Sequence, residues 1–284
     1  MSNYGVSSSN DTSSAGAGRK HVTLLDLKSR RNSGDRIAML TCYDASFARL
    51  LDDCGVDVLL IGDSLGMVLQ GHGSTLPVTM DQMVYHTECV ARAKPKAWVL
   101  ADMPFGSYQE SHAQAYANAA RLLSAGAQMV KMEGGAWLAP TIEFLVKRGI
   151  PVCAHLGLTP QSVHQLGGYR VQGRDQAAAD QLIADAKLLE QSGADMVLVE
   201  LIPTPVGARL TESLRVPTIG IGAGPHMTGQ VLVLHDILDV TPGKKARFAK
   251  NYMRTASGIR EAVGRYVSEV KSGAYPGPEH GFET

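Results

Sequence analysis

Val56-Asp57-Val58-Leu59-Leu60-Ile61-Gly62-Asp63-Ser64 is an apolar run that stops abruptly at a glycine and an acid. The run is short, aliphatic and bounded by turn residues, so it reads as a strand buried on both faces. The same grammar recurs: residues 98–101 are followed by Asp102, 129–132 by Glu133, 151–154 by His155 and 196–199 by Glu200. With 37–42, 218–221 and 231–234 the apolar runs number eight, and they alternate with longer helical patterns. That is the rhythm of repeated βα units. Eight parallel strands suit an α/β fold of one domain, a closed (β/α)8 TIM barrel, and polar residues after strand upon strand would then meet at the one end where such barrels do chemistry. A doubly wound open sheet has the same rhythm, but it gathers its ligand groups near one switch point.

Between the runs, residues 111–124 and 176–192 carry apolar side chains at helical spacing, and each is followed by a Gly-Ala pair suited to a helix stop and a turn. Residues 251–271 read as a C-terminal helix that the Gly-Ala-Tyr-Pro-Gly-Pro stretch at 273–278 cannot continue. The first twenty residues are rich in Ser, Gly and Asn and hold almost nothing apolar, so they do not offset the entropy of becoming ordered. They are short of Arg and contain Asp11, which fits a solvated tail better than a mitochondrial targeting segment. The expected organisation is a disordered tail at 1–20, the barrel at 21–272 and a loose C-terminal arm at 273–284.

A chain of 284 residues with 44% hydrophobic content can bury one barrel-sized core and needs no second domain. Lys plus Arg and Asp plus Glu each number 27, so no net field draws the chain to nucleic acid or an anionic membrane, and a small-molecule substrate is the default. Cys42, Cys54, Cys89 and Cys153 stand far apart without a C-x-x-C pair, which speaks against a zinc ribbon or a disulfide framework and for a reducing, cytoplasmic setting. No apolar stretch approaches the ~20 residues that span a bilayer, and no apolar signal core opens the chain, so neither an anchor nor a leader is expected.

Asp63 and Asp102 follow runs too apolar to face solvent, so each carboxylate must reach the barrel mouth or find a partner inside. Together with Glu133 they suit Mg²⁺, a hard cation usually held by one or two carboxylates while water and substrate oxygens complete its shell. For Asp63 alone, capping the next helix is an equally good reading. Lys131 and Glu133 flank Met132 and project to one face of their strand, where the lysine could hold a substrate carboxylate or merely fill the barrel as an ion pair.

His155 could donate a hydrogen bond to a substrate oxygen or move a proton, and no His-x-x-x-His spacing among the nine histidines suggests a zinc hydrolase. Glu200 ends an apolar run and precedes Leu-Ile-Pro, surroundings expected to raise its pKa and favour proton transfer. The glycines of Gly220-Ile-Gly-Ala-Gly-Pro225 lie where many barrels bind phosphate, but tight packing explains them equally well.

Six stretches read together are more specific than any of these features: Met39-Leu-Thr-Cys-Tyr-Asp-Ala45, Gly62-Asp-Ser-Leu-Gly-Met67, Ala101-Asp-Met-Pro-Phe-Gly-Ser-Tyr108, Lys131-Met-Glu-Gly-Gly135, His155-Leu-Gly-Leu-Thr-Pro-Gln161 and Gly220-Ile-Gly-Ala-Gly224. From about His21 to Tyr266 the chain closely resembles the ketopantoate hydroxymethyltransferases. The resemblance implies a barrel of the phosphoenolpyruvate/pyruvate type that transfers a hydroxymethyl group from 5,10-methylenetetrahydrofolate to 3-methyl-2-oxobutanoate, forming 2-dehydropantoate on the route to pantothenate and coenzyme A. It further implies Mg²⁺ as the metal, an oxoacid and a folate as partners, and a homo-oligomer, often a decamer. Carried over position by position, Asp63, Asp102 and Glu133 become the metal-site acids. Asp63, Ser64, Asp102, Lys131 and His155 become oxoacid-binding residues, and Glu200 the catalytic base.

Two departures stand out: Leu-Ile-Pro follows Glu200 where the family often has Cys-Val-Pro, and Thr228 precedes Gly229-Gln230 where an aspartate is common. Neither removes a site residue, and no folate-contacting residue follows from the resemblance. A lyase or mutase of the same barrel type would also hold an oxoacid on Mg²⁺, but such enzymes often use a reactive loop cysteine, whereas Cys153 lies inside an expected strand and Cys42 ends one. A silent barrel that only binds a partner would leave its strand-end acids without a task.

Overall fold

Parallel pairing runs unbroken around the strands in chain order. In the computed structural model, which describes residues 18–243 and 245–283, the strands are β1 (Ile37–Thr41), β2 (Val58–Ile61), β3 (Trp98–Asp102), β4 (Met129–Glu133), β5 (Val152–Gly157), β6 (Met196–Glu200), β7 (Thr218–Ile221) and β8 (Gly229–Leu232). Each pairs with the next and β8 closes on β1, with Ile37 opposite Gly229. The expected (β/α)8 barrel is the fold. Every strand residue is buried except Gly157 and Glu200, which end their strands at the mouth, so unbroken apolar runs are what a two-sided core requires.

Among the described residues ten α-helices accompany the strands: α1 (Leu24–Ser33), α2 (Ala45–Asp53), α3 (Leu65–Val68), α4 (Met80–Ala91), α5 (His112–Ser124), α6 (Ala139–Val146), α7 (Gln176–Gln191), α8 (Thr204–Ser213), α9 (Leu234–Ile237) and α10 (Ile259–Ser272). Their starts are written in the sequence. Asp44, Ser111 and Asp175 cap α2, α5 and α7 by accepting backbone N–H bonds, and Thr23 with Asp26 and Thr79 with Gln82 form reciprocal boxes at α1 and α4. The expected Gly-Ala stops after α5 and α7 are present, Gly126 and Gly193 taking φ of +110° and +103°. Among the described residues no helix is long and apolar enough to cross a membrane.

Several boundaries differ from the sequence reading, those at β8, the C-terminal helix and the C-terminal arm for tertiary reasons. β8 starts at Gly229 rather than 231, because a Cβ there would stand 2.4 Å from the Ile37 carbonyl oxygen and only glycine lets the closing strands approach. The C-terminal helix begins at Ile259 rather than 251, since Asn251 Oδ1 accepts from the N–H groups of Met253 and Arg254 and holds a turn instead. Residues 273–283, read as a loose arm, fold back on the barrel: the Tyr275 hydroxyl donates to Phe248 O at 2.6 Å, and Phe282 O accepts from Thr204 N at 2.8 Å.

The expected strand at 56–61 begins at Val58 because Asp57 is taken into a charge cluster at the foot of the barrel. Its side chain is 4% exposed, with Arg30 Nη1 at 2.7 Å, Lys271 Nζ at 2.7 Å, Arg19 Nη2 at 3.5 Å and Ala38 N donating at 2.9 Å. The Arg30 contact is an ion pair without an aligned hydrogen bond. One carboxylate thus ties together β1, β2, α1, α10 and Arg19. Arg19 belongs to the expected tail, of which residues 1–17 lie outside the described residues. Asp57→Ala leaves Arg19 to Asp52 and Arg30 and Lys271 to Asp35 and strips the buried Ala38 N–H of its acceptor, so urea denaturation should show a loss of about 1–3 kcal/mol; a loss within experimental error would mean that the cluster does not hold the foot together.

Candidate active site

The carboxyl ends of the strands open into a cavity of about 910 Å³. Asp63, Ser64, Asp102, Lys131, Glu133, His155 and Glu200 all line it, so residues 137 positions apart in sequence (200 − 63) converge on one space. The pleat explains the choice: Lys131 and Glu133 alternate with Met132 on β4 and point inward together.

Lys131 is the centre of the cluster. Its Nζ lies 3.3 Å from Asp102 Oδ1, 3.2 Å from Glu133 Oε1 and 3.1 Å from His155 Nδ1. Burial works to lower the ammonium pKa, but Asp102, Glu133 and Asp63 drive it well above its usual value, so the charge is retained. Burial likewise works to raise Glu133, yet Lys131, His155 and the hydrogen bonds from His155 and Gln161 N hold it at about 2. Glu133 Oε2 accepts from Gln161 N at 2.9 Å, so both of its oxygens are engaged.

Burial and Lys131 press the His155 pKa down, whereas the Glu133 charge and hydrogen bond and the nearby Glu200 carboxylate, which Nε2 faces without an aligned hydrogen bond, carry it above normal. The imidazole spans two acids, with Nδ1 3.1 Å from Glu133 Oε1 and Nε2 3.4 Å from Glu200 Oε2. Glu200 therefore faces an imidazole rather than the purely apolar surroundings expected of it.

Asp63 does not cap a helix. Ser64 holds the cap position of α3 and makes no side-chain cap bond, while Asp63 Oδ2 accepts from Gln161 Nε2 at 2.9 Å. Asp102 Oδ2 accepts from Asp63 N at 3.0 Å, and its buried Oδ1 stands within ion-pair range of Lys131 without an aligned hydrogen bond. Burial raises both carboxyls; for Asp63 the charges of Asp102 and Glu133 add to it, and for Asp102 Lys131 and the Asp63 N–H oppose it. Two buried acids pushed toward neutrality, one with an unfilled oxygen, fit a divalent cation that would favour their ionised forms. Among the described residues no three or more Asp, Glu, His or Cys side chains are arranged to hold a metal by themselves.

Several contributors escaped the sequence reading. Gln161, 5% exposed, donates through Nε2 to Asp63 Oδ2 and Met103 O, both at 2.9 Å, and through its backbone to Glu133, so one residue steadies two of the acids. Its Oε1 accepts from the Tyr108 hydroxyl at 2.7 Å, and that hydroxyl in turn accepts from Glu133 N at 3.0 Å. The Tyr43 hydroxyl lies 2.9 Å from Ser64 Oγ. All three residues stand inside the quoted family stretches, and that was the available signal.

Two glycine positions settle local questions. Gly157 has φ +87°, and a Cβ on it would stand 2.2 Å from Glu200 O, so the bare backbone of β5 is what lets β6 deliver Glu200. The Gly220–Gly224 run serves packing: a Cβ at 220, 222 or 224 would meet Met227, Phe248 or Thr204 at 2.7–2.8 Å.

A sequence profile described as ketopantoate hydroxymethyltransferase matches residues 21–278. The chain belongs to this family. It is 63% identical over 262 residues to the 3-methyl-2-oxobutanoate hydroxymethyltransferase of Azoarcus sp., covering 92% of this chain and 97% of that one. It is 60% identical over 264 residues to the enzyme of the same name from Burkholderia multivorans, covering 93% and 97%. Membership makes the chain an enzyme that transfers a hydroxymethyl group to 3-methyl-2-oxobutanoate. In fold it is similar to a phosphonopyruvate hydrolase solved with oxalate and Mg²⁺ (TM-score 0.58, 13% identity, 92% of this chain and 93% of that one). It is also similar to a 2,3-dimethylmalate lyase of the phosphoenolpyruvate mutase/isocitrate lyase superfamily (TM-score 0.56, 17% identity, 74% and 80%).

The thiols separate this ketopantoate hydroxymethyltransferase from a cysteine-dependent lyase. Cys42 and Cys153 are buried, and burial pushes both thiols up to about 12. A thiol is protonated and unreactive below its pKa, so at pH 8 iodoacetamide should label Cys54 and Cys89 in the native protein and reach all four only in denaturant. Mass spectrometry showing native modification of Cys42 or Cys153 would contradict this burial.

Proposed function

We propose that the enzyme takes the one-carbon unit from 5,10-methylenetetrahydrofolate and adds it to C3 of 3-methyl-2-oxobutanoate, with Mg²⁺ at the Asp63 and Asp102 carboxylates, to give 2-dehydropantoate for pantothenate synthesis. The observation that carries the reading is a charged anchor and an acceptor carboxylate, Lys131 and Glu200, set in one cavity with His155 between them.

A hydrogen on the carbon next to a ketone leaves reluctantly in water. Glu200 removes the C3 proton, and His155 holds its carboxylate in place. Lys131 pairs with the substrate carboxylate and so aims C3 at the base, replacing a chance encounter by a positioned one. Ser64, braced by Tyr43, offers its hydroxyl to the oxoacid. Asp63 and Asp102, with Glu133 completing the anionic surround, would hold Mg²⁺, which would supply positive charge for the developing negative charge of the substrate. Water takes the one-carbon unit off the donor as formaldehyde and leaves tetrahydrofolate; C3, freed of its proton, attacks that carbonyl carbon, and the new alkoxide takes the proton back from Glu200 to become the hydroxyl of the product. The unpaired cysteines support a reducing, cytoplasmic location for this reaction.

Deuterium exchange into the oxoacid, followed without folate, tests the base and the metal together. Wild-type exchange should stop on chelation with EDTA and return with Mg²⁺. Glu200→Gln should keep oxoacid binding but slow exchange by roughly 10²-fold or more; exchange at the normal rate in that variant would remove Glu200 from the role. Self-association into a homodecamer is proposed from the family resemblance, and light scattering should find ten copies of the 30.3 kDa chain, a monomeric mass ruling the assembly out.

A further inference from the structure

The cavity changes sign along its length. Its inner part carries Asp63, Asp102, Glu133 and Glu200 against the single ammonium of Lys131, whereas its outer lining includes Arg170, Arg174 and Arg247 against Asp236. Among the described residues the guanidinium groups of Arg170 and Arg174 have no hydrogen-bond or ion-pair partner, although both are exposed where they could reach one. Arg247 is held in place, its Nε donating to Glu279 O at 2.8 Å and its guanidinium 5.6 Å from the Phe282 ring centre.

The segment bearing the two free arginines is fastened to both sides of the mouth. Gln172 N donates to Leu201 O at 2.8 Å, just past β6, and the Tyr169 hydroxyl reaches Met67 Sδ on α3 at 3.6 Å. The exposed ring of Tyr169 thus lies between the acidic interior and the basic rim. A cavity of about 910 Å³ is near the upper end of the roughly 300–1,000 Å³ that holds a drug-sized ligand, so a five-carbon oxoacid leaves most of it empty.

We propose that this outer chamber, with Tyr169, Arg170, Arg174, Arg247 and Phe282, docks the carboxylate-bearing end of the one-carbon donor, an aryl amide ending in glutamate carboxylates. Lys131, the inner ammonium, is already engaged by Asp102 and Glu133, whereas the rim arginines are free to attract carboxylates, so the donor enters ring first with its anionic tail at the rim. The inference rests on the donor assigned above and adds its orientation and the residues that set it.

The test compares donors with no glutamate, one glutamate and three glutamates on wild type, Arg170→Ala/Arg174→Ala and Arg170→Lys/Arg174→Lys. In wild type the donor KM should fall about tenfold from the tail-less to the triglutamate form, two exposed pairs being worth that much. Added salt should erode the gain. The alanine pair should narrow the ratio to about twofold, and the lysine pair should restore part of it, outcomes that a merely structural loop would not give. A wild-type KM indifferent to the tail, or an alanine pair that raises KM equally for all three donors, overturns the docking site. Wild type that exchanges C3 hydrogen normally but forms no product with any folate overturns the donor assignment, and with it the occupant named here.

Discussion

One buried ammonium organises the chemistry of this barrel. Lys131 is 4% exposed and lies within 3.3 Å of Asp102, Glu133 and His155. Removing any charge of this set would leave its partners in a low dielectric without compensation, so the members stand or fall together. An arrangement of this kind is poor evidence for stability, because well-packed apolar side chains of similar volume often do as well or better. Its value is that it pre-aims charge. The substrate meets groups whose protonation and direction were settled when the barrel closed.

Much of this was legible in the chain. A strand buried on both faces is mostly apolar, so the ionisable residue at or just past its carboxyl end, Asp63, Asp102, Glu133, His155 or Glu200, marks where the barrel opens. The inward pairing of Lys131 and Glu133 follows from the pleat alone. Gln161 was not legible, because its amide and backbone N–H gain their meaning from Asp63 and Glu133, 98 and 28 residues away. Tyr43 and Tyr108 were given no role for the same reason, their partners Ser64, Gln161 and Glu133 lying 21, 53 and 25 residues away. The starts of β8 and α10 were missed because a close approach to Ile37 and a turn at Asn251 decided them, rather than any local period.

The two ends of the barrel divide the work. At the foot, Asp57 gathers three cations from the N-terminal segment, α1 and α10. At the mouth, Lys131, Asp102, Glu133 and His155 face one cavity, and among the described residues the arginines of the 169–174 segment have no internal partners. Loops at the mouth can therefore be exchanged without disturbing the foot, the separation that lets this architecture serve many reactions.

Gly157 shows how an absent atom can decide a reaction. A methyl group there would collide with the carbonyl of Glu200, and its nearest atoms, Glu200 O and C and Ile202 Cγ2, include neither Lys131 nor Ser64. In a mutational scan read by turnover, this position would score like a proton-transferring residue, although it has no side chain to transfer anything. Ranking residues by the damage their loss causes would thus confuse the part that acts with the space that lets it act.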